Sequence, residues 1–331
     1  MDTLTKKTNQ TERDPFPIKG TDHIEFYVGN AKQAAHYYQT AFGFRLVAYR
    51  GPETGTRDCV SYVLEQGKIR FVLTAALSPD HAIARHVHRH GDGVKVLGLW
   101  VDDAEYAYRR ALERGAESAA PLQMLEDEYG RVRLASIHTY GETIHTFVER
   151  NDYEGAFLPG FEARQSPMDV TPIGLQYVDH CVGNVELGKM NEWVQFYQDV
   201  MGFQLLVTFD DKDISTKYTA LMSKVVANGN GYIKFPINEP AQGLKKSQIE
   251  EYLDYYGGAG VQHIAVATND IIYTVDRLRK NGVDFLYVPD TYYETVLDRV
   301  GEINEDIKDL KRLNILVDRD EEGYLLQIFT K

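Results

Sequence analysis

Cysteine is scarce: the 331-residue chain has two, Cys59 and Cys181. Two cannot build a disulfide framework at this length, so a reducing, cytoplasmic setting is expected. Long apolar runs are missing as well. No stretch approaches the roughly 18 residues of a membrane-spanning helix. The N-terminal MDTLTKKTNQTERDPFPIKG lacks the apolar core of a secretory leader, so none is expected. Basic excess is also absent: 49 Asp and Glu against 36 Lys and Arg give a formal net charge of -13. A nucleic-acid surface needs a basic patch to replace counterions, which excludes that class of partner. A small acidic ligand would need a local positive centre, such as a metal, against this field.

The composition, 43% apolar and 26% charged, is that of a soluble globular protein with a sizeable core. The length suggests two domains at roughly 150 residues each. An internal repeat supports the division. TDHIEFYVGNAKQAAHYYQTAFGFRL (21–46) matches VDHCVGNVELGKMNEWVQFYQDVMGFQL (178–205): each runs D-H, V-G-N, an aromatic-rich helical stretch, G-F and an apolar strand. GVKVLGLWVDDAEYAYRRALERGAE (93–117) matches GAGVQHIAVATNDIIYTVDRLRKNGVDF (258–285), a strand leading into an amphipathic helix that ends at Gly115 or Gly282. Glycine there suits a left-handed cap. NDYEGAFLPGFEARQSP (151–167) reads as the connection, placing the domains at 1–155 and 156–331. Strands dominate and helices are short, so the class is α+β with curved mixed sheets.

Ten histidines are present, and position within the repeat sorts them. His180 sits on the first strand of the third module and His263 on the first strand of the fourth, where two imidazoles can meet one metal ion. In the first half His23 matches His180, but Val96 stands where His263 should. That half reads as a scaffold without a metal, and His23 as structural. His86, His88 and His90, in ARHVHRHGDG before a strand, read as a surface loop able to bind metal only adventitiously. His138 and His145 alternate with apolar residues and receive no role.

Two histidines and a carboxylate form the facial triad of Fe(II) oxygenases. In the first half the strand GETIHTFVER follows LASIHTY and carries Glu149. In the second half GYLLQIFTK matches LASIHTY, and Lys331 ends the chain. The third ligand, a glutamate, is therefore expected beyond Lys331.

The strings YVDHCVGNV (177–185), FPINEP (235–240), KKSQIEEYLDYYGGAGVQHIA (245–265), DRDEEGYLLQIFTK (318–331) and the linker FLPGF (157–161) resemble the 4-hydroxyphenylpyruvate dioxygenase family. The resemblance runs from about residue 15 to Lys331. It implies the vicinal-oxygen-chelate fold, four βαβββ modules in two domains, with iron and substrate held by the second. It also implies conversion of 4-hydroxyphenylpyruvate and O2 to homogentisate and CO2 in tyrosine breakdown, with Fe(II) as cofactor. Apart from the resemblance, a homo-oligomer is expected. His180 and His263 resemble the iron ligands. Ser223, Pro236, Asn238, Gln248, Gln262, Gln327 and Phe329 resemble the substrate pocket, with Asn238 and Gln248 closest to the chemistry. Strand alternation puts Gln327 with Phe329, and Pro236 with Asn238, on shared faces, but points Gln262 away from His263.

The family continues past IFTK with a strand bearing the glutamate and then a covering helix. Three readings of the difference stay open: truncation, which is favoured, a defective protein, or a substituting carboxylate. The chain as given would be inactive under the first two. Competing functions are a 4-hydroxymandelate synthase, an extradiol ring-cleaving dioxygenase of the same fold, and a non-catalytic binding protein.

Overall fold

The computed structural model describes residues 15–209, 221–240, 246–319 and 323–331. The segment 1–14, with most of the stretch read for a leader, lies outside them. In the first half, β1 (Ile18–Tyr27), α1 (Ala31–Phe42), β2 (Arg45–Arg50), β3 (Cys59–Gln66) and β4 (Ile69–Ala76) form one βαβββ module. After α2 (Ala82–His90) comes a second: β5 (Gly93–Val101), α3 (Ala104–Glu113), β6 (Ser118–Asp127), β7 (Gly130–His138) and β8 (Ile144–Glu149). A short β9 (Glu162–Ala163) closes a nine-stranded sheet of order β6-β7-β8-β5-β1-β4-β3-β2-β9. The connecting segment is thus partly ordered into the first half: β9 pairs with Ala48 and Tyr49, and Phe157 and Phe161 pack on Ala48, Val63 and Val72.

The third module repeats the first: β10 (Leu175–Asn184), α4 (Met190–Met201), β11 (Gln204–Phe209), β12 (Leu221–Ala227) and β13 (Lys234–Pro240). After α5 (Gln248–Tyr256), β14 (Gly260–Thr268) completes a five-stranded sheet of order β11-β12-β13-β10-β14. This is the first half's β2-β3-β4-β1-β5 order with the same parallel and antiparallel pairings. The fourth module departs from the expected repeat. Helices α6 (Ile271–Lys280), α7 (Asp290–Val300) and α8 (Ile307–Leu313) lead to a separate hairpin of β15 (Leu316–Arg319) and β16 (Tyr324–Gln327). The physical cause is local: Pro289 opens α7 and Gly301 ends it, while the Asp306 side chain caps α8 by accepting from Lys308 N–H.

Local chemistry accounts for the repeated entry into each module. Asn30 caps α1 by accepting from Gln33 N–H, and Gly43 ends it at φ 71°. Gly202 ends α4 at φ 70°. Gly115 and Gly282 also have positive φ, one residue past the last turns of α3 and α6. Alternation then divides the second sheet. Cys181, Val226, Phe235 and Ile237 join the core under α4, which buries Val194, Tyr197, Val200 and Met201. Each such side chain contributes about 1.5–3 kcal/mol by leaving water. The residues between them on β10, β12 and β13 lie on the other face.

The halves share one core. His145, given no role by the sequence, is fully buried at their junction. Its Nε2 lies 2.8 Å from the Tyr197 hydroxyl, and its ring stacks on Phe235 at 5.2 Å. Among the described residues no helix is long and apolar enough to cross a membrane.

Candidate active site

The two histidines singled out from the repeat come together, on neighbouring strands. On the antiparallel pair β10 and β14, His180 lies opposite Ala265 and His263 opposite Val182. The histidines are therefore diagonal neighbours on one face, with ring centroids 5.9 Å apart and planes at 72°.

Two β-bulges orient the rings. Between Val178 and His180 strand β10 gains one residue, Asp179. Between Val261 and His263 strand β14 gains one, Gln262. Each extra residue holds the histidine that follows it: His180 Nδ1 donates to Asp179 Oδ2 at 2.7 Å, and His263 Nδ1 donates to Gln262 Oε1 at 2.9 Å. Fixing Nδ1 as the donor leaves Nε2 as the lone pair of each ring. The expectation that Gln262 points away from His263 is thus corrected, because ideal alternation does not survive a bulge. Asp179 was missed, although the repeated D-H dipeptide is its signal.

Electrostatics favour ligation. Burial, then the charge of His180, pushes His263 down to about 4, so it is neutral at pH 7. The His180 hydrogen bond and Lys234, 2.9 Å away, lower the Asp179 carboxyl to about 2. Phe329 meets His263 edge-on at 5.4 Å. Its segment is pinned by Leu286 N–H to Phe329 O and Lys331 N–H to Asp284 O, both 2.9 Å.

A polar row adjoins the pair. Ser223 on β12 pairs with Asn238 on β13, which pairs with Asn184 on β10, so all three share the face of His180. Pro236 lies on it by alternation. All three polar residues are buried, and Asn184, not singled out by the sequence, has an Nδ2 with no partner. Asn238 Nδ2 donates weakly to Asn184 Oδ1 at 3.4 Å. A buried amide donor left unpaired is costly unless a ligand completes it.

Two further expected pocket residues have the following surroundings. Gln248 is exposed in the first turn of α5, next to its cap Ser247. Gln327 Nε2 donates to Asp318 Oδ2 at 3.0 Å within the hairpin.

Among the described residues no carboxylate joins His180 and His263 in a group of three potential ligands. Glu149, the first-half position that suggested one, accepts from Ala104 N–H at 3.0 Å at the start of α3 and pairs with Arg133 at 3.3 Å. The first half keeps the D-H bulge, with Asp22 as the extra residue and His23 opposite Gly98. Val96 occupies the register of His263, opposite Glu25 as His263 is opposite Val182. Phe157 packs edge-on against His23 at 5.3 Å.

Curved sheets built from βαβββ units and a histidine pair on one face define a member of the glyoxalase/bleomycin resistance protein/dioxygenase superfamily, which residues 177–328 match. Residues 13–159 match the N-terminal part of hydroxyphenylpyruvate dioxygenase. Curated 4-hydroxyphenylpyruvate dioxygenases are 46% identical in Coccidioides posadasii (95% of this chain, 84% of that protein), in Aspergillus fumigatus (100% and 88%) and in Dictyostelium discoideum (95% and 88%). A mutant 4-hydroxymandelate synthase from Streptomyces coelicolor superimposes with a TM-score of 0.83 at 31% identity, covering 95% of this chain and 88% of that one. The chain belongs to the 4-hydroxyphenylpyruvate dioxygenase family. Dioxygenases of this superfamily imply a bound metal.

Proposed function

We propose that this chain is an Fe(II) dioxygenase that converts 4-hydroxyphenylpyruvate and O2 to homogentisate and CO2. The observation that carries the reading is the His180–His263 pair on the same face as a buried polar row, in a chain 46% identical to curated enzymes of that name. The donor set fits the metal: two imidazoles, each with Nδ1 engaged and Nε2 free, supply two positions of a facial triad. Bound there, Fe(II) supplies the activation of O2, and the substrate's own 2-oxo acid supplies the electrons, so no second oxo acid is consumed.

The chain's own groups do the positioning. Asp179 and Gln262 hold the two rings against rotation. Phe329 covers His263 and excludes water from that side. Ser223, Asn238 and Asn184 offer hydroxyl and amide groups to the phenol end, and Pro236 adds apolar surface beside them. Gln248 and Gln327 join the pocket in this reading only if their side chains turn toward it from the positions described above.

O2 uptake with Fe(II) and 4-hydroxyphenylpyruvate, with mass spectrometry of the product, tests the proposal. Homogentisate is expected. A 4-hydroxymandelate product, or no uptake once a glutamate-bearing C-terminal strand and helix complete the iron's ligands, overturns it. In the active enzyme, Asn238→Ala should lower the preference for 4-hydroxyphenylpyruvate over phenylpyruvate, because a site built to pair a hydroxyl rejects its absence. An unchanged preference removes Asn238 from that role.

A further inference from the structure

The histidine-rich stretch before β5 is a helix, α2, and not the surface loop expected. At i and i+4, His86 and His90 share its buried face, while His88 is exposed. Their rings lie 4.5 Å apart, and both meet Glu142 from the loop between β7 and β8. His86 Nδ1 donates to Glu142 Oε2 at 2.7 Å. His90 Nδ1 donates to the Tyr256 carbonyl at 2.5 Å, so its Nε2 carries the lone pair of the neutral ring. That Nε2 lies 3.3 Å from Glu142 Oε1, yet makes no hydrogen bond. His86 Nε2 is likewise buried without a partner. Both imidazoles are more than nine-tenths buried.

A buried imidazole nitrogen without a hydrogen bond, 3.3 Å from a carboxylate oxygen, is a place where a cation can bind both groups. From these contacts we infer a second metal site, formed by His86, His90 and Glu142, that takes a borderline divalent cation of the Zn(II) class. Two nitrogens and one carboxylate oxygen suit such ions, with a fourth position left to water. One donor atom from each residue lies within 4.8 Å of the others. Small ring rotations close that to the about 3.4 Å separations set by tetrahedral bonds of about 2.1 Å. The end of α2 adds a carbonyl field that favours positive charge. Arg89, 3.0 Å from Glu142 Oε1 but mostly exposed, is the group the ion displaces, while Lys95 bonds the Glu142 backbone carbonyl and leaves the carboxylate free. Bound metal would join α2 to the β7–β8 loop and, through His90 and Tyr256, to the end of α5. This site is separate from His180 and His263 and does not depend on the proposed reaction.

The test is Zn(II) titration of the full chain carrying His180→Ala and His263→Ala, read by competition with a chromophoric chelator, with Co(II) absorption as a second readout. One equivalent is expected, with a tetrahedral Co(II) spectrum. Adding Glu142→Gln or His90→Gln should weaken binding at least tenfold, with far-UV circular dichroism unchanged. Absence of binding in the double-alanine chain overturns the inference, as does an affinity that neither added substitution moves. Should either added variant fail to fold, the Co(II) spectrum of the double-alanine chain decides: no tetrahedral band means no site.

Discussion

The D-H bulge occurs in both halves, which makes Asp179→Asn and Asp22→Asn a matched pair of perturbations. Asp179 accepts from His180 Nδ1 at 2.7 Å and pairs with Lys234 at 2.9 Å. Asparagine keeps the shape and an acceptor oxygen but removes the charge, so His180 becomes a weaker, less firmly oriented donor. Losing such a partner typically costs 10–100-fold in metal affinity, or about 1.4–2.7 kcal/mol. The stability cost is separate. The carboxyl falls from 3.8 to about 2 on folding, which is worth at most about 2 kcal/mol. That stability is present above pH 3.8 and lost as pH falls toward 2, and partial exposure of the side chain screens it further. Asp22 is different. Burial would raise its carboxyl, but His23 and the Arg150 guanidinium, at 2.6 and 2.7 Å, hold it well below the carboxylate range. Asp22→Asn leaves Arg150 without its counterion in a largely buried place, at about 3–5 kcal/mol, and touches no ligand of the proposed iron. Anaerobic Fe(II) titration against a ferrous chelator, with urea unfolding of both variants, separates the cases. Asp179→Asn should lose metal affinity and little stability; Asp22→Asn should lose stability and bind iron normally per folded molecule. Equal iron affinity in Asp179→Asn and the parent would refute the orienting role.

Three further outcomes follow from the same geometry. Burial lowers His145 to about 4 from 6.5, so the unfolded chain binds its proton first and stability falls by about 3 kcal/mol as pH drops from 6.5 to 4; His145→Phe should flatten that part of the urea-midpoint profile, and an unchanged slope would count against it. A Cβ on Gly183 would lie 2.5 Å from the fully buried Tyr140 ring, so Gly183→Ala should cost about 1–3 kcal/mol of unfolding free energy, whereas a parent-like urea midpoint would mean that the ring moves aside. Val96→His should not build a second iron site, because Phe157 packs on His23; metal content should stay at the parent value and stability should fall by about 1–3 kcal/mol, and a gain of one iron per chain would contradict this.

Much of this was legible in the sequence because duplication supplies an internal comparison. The D-H and V-G-N steps align β1 with β10, and the register puts Val96 where His263 falls. What stayed hidden depends on events that leave no periodic trace. A bulge shifts one side chain without changing residue type, so Gln262 was pointed the wrong way and Asp179 passed over. The partner that completes His86 and His90 lies more than fifty residues away in Glu142, and spacing alone cannot tell a loop H-x-H from a helical i, i+4 pair. The partner of Gln327 was hidden for a similar reason: strand alternation is silent about Asp318 on the neighbouring strand.

The comparison of halves also separates two requirements of a metal site: an oriented imidazole and space in front of it. The first half satisfies the first, since Asp22 holds His23 as Asp179 holds His180. It fails the second, because Phe157 covers the ring and valine replaces the partner histidine. Its aspartate is tied to a partly buried arginine, which converts the orienting group into a structural ion pair. In the second half the corresponding aspartate faces a half-exposed lysine, and the row that continues from His180 is polar and incompletely paired. The first half therefore turns the repeated geometry to packing, and the second keeps an incompletely paired polar row beside His180 that a ligand can complete. An unpaired buried donor on the face that carries both histidines, Asn184 Nδ2, is where a ligand can complete the second half.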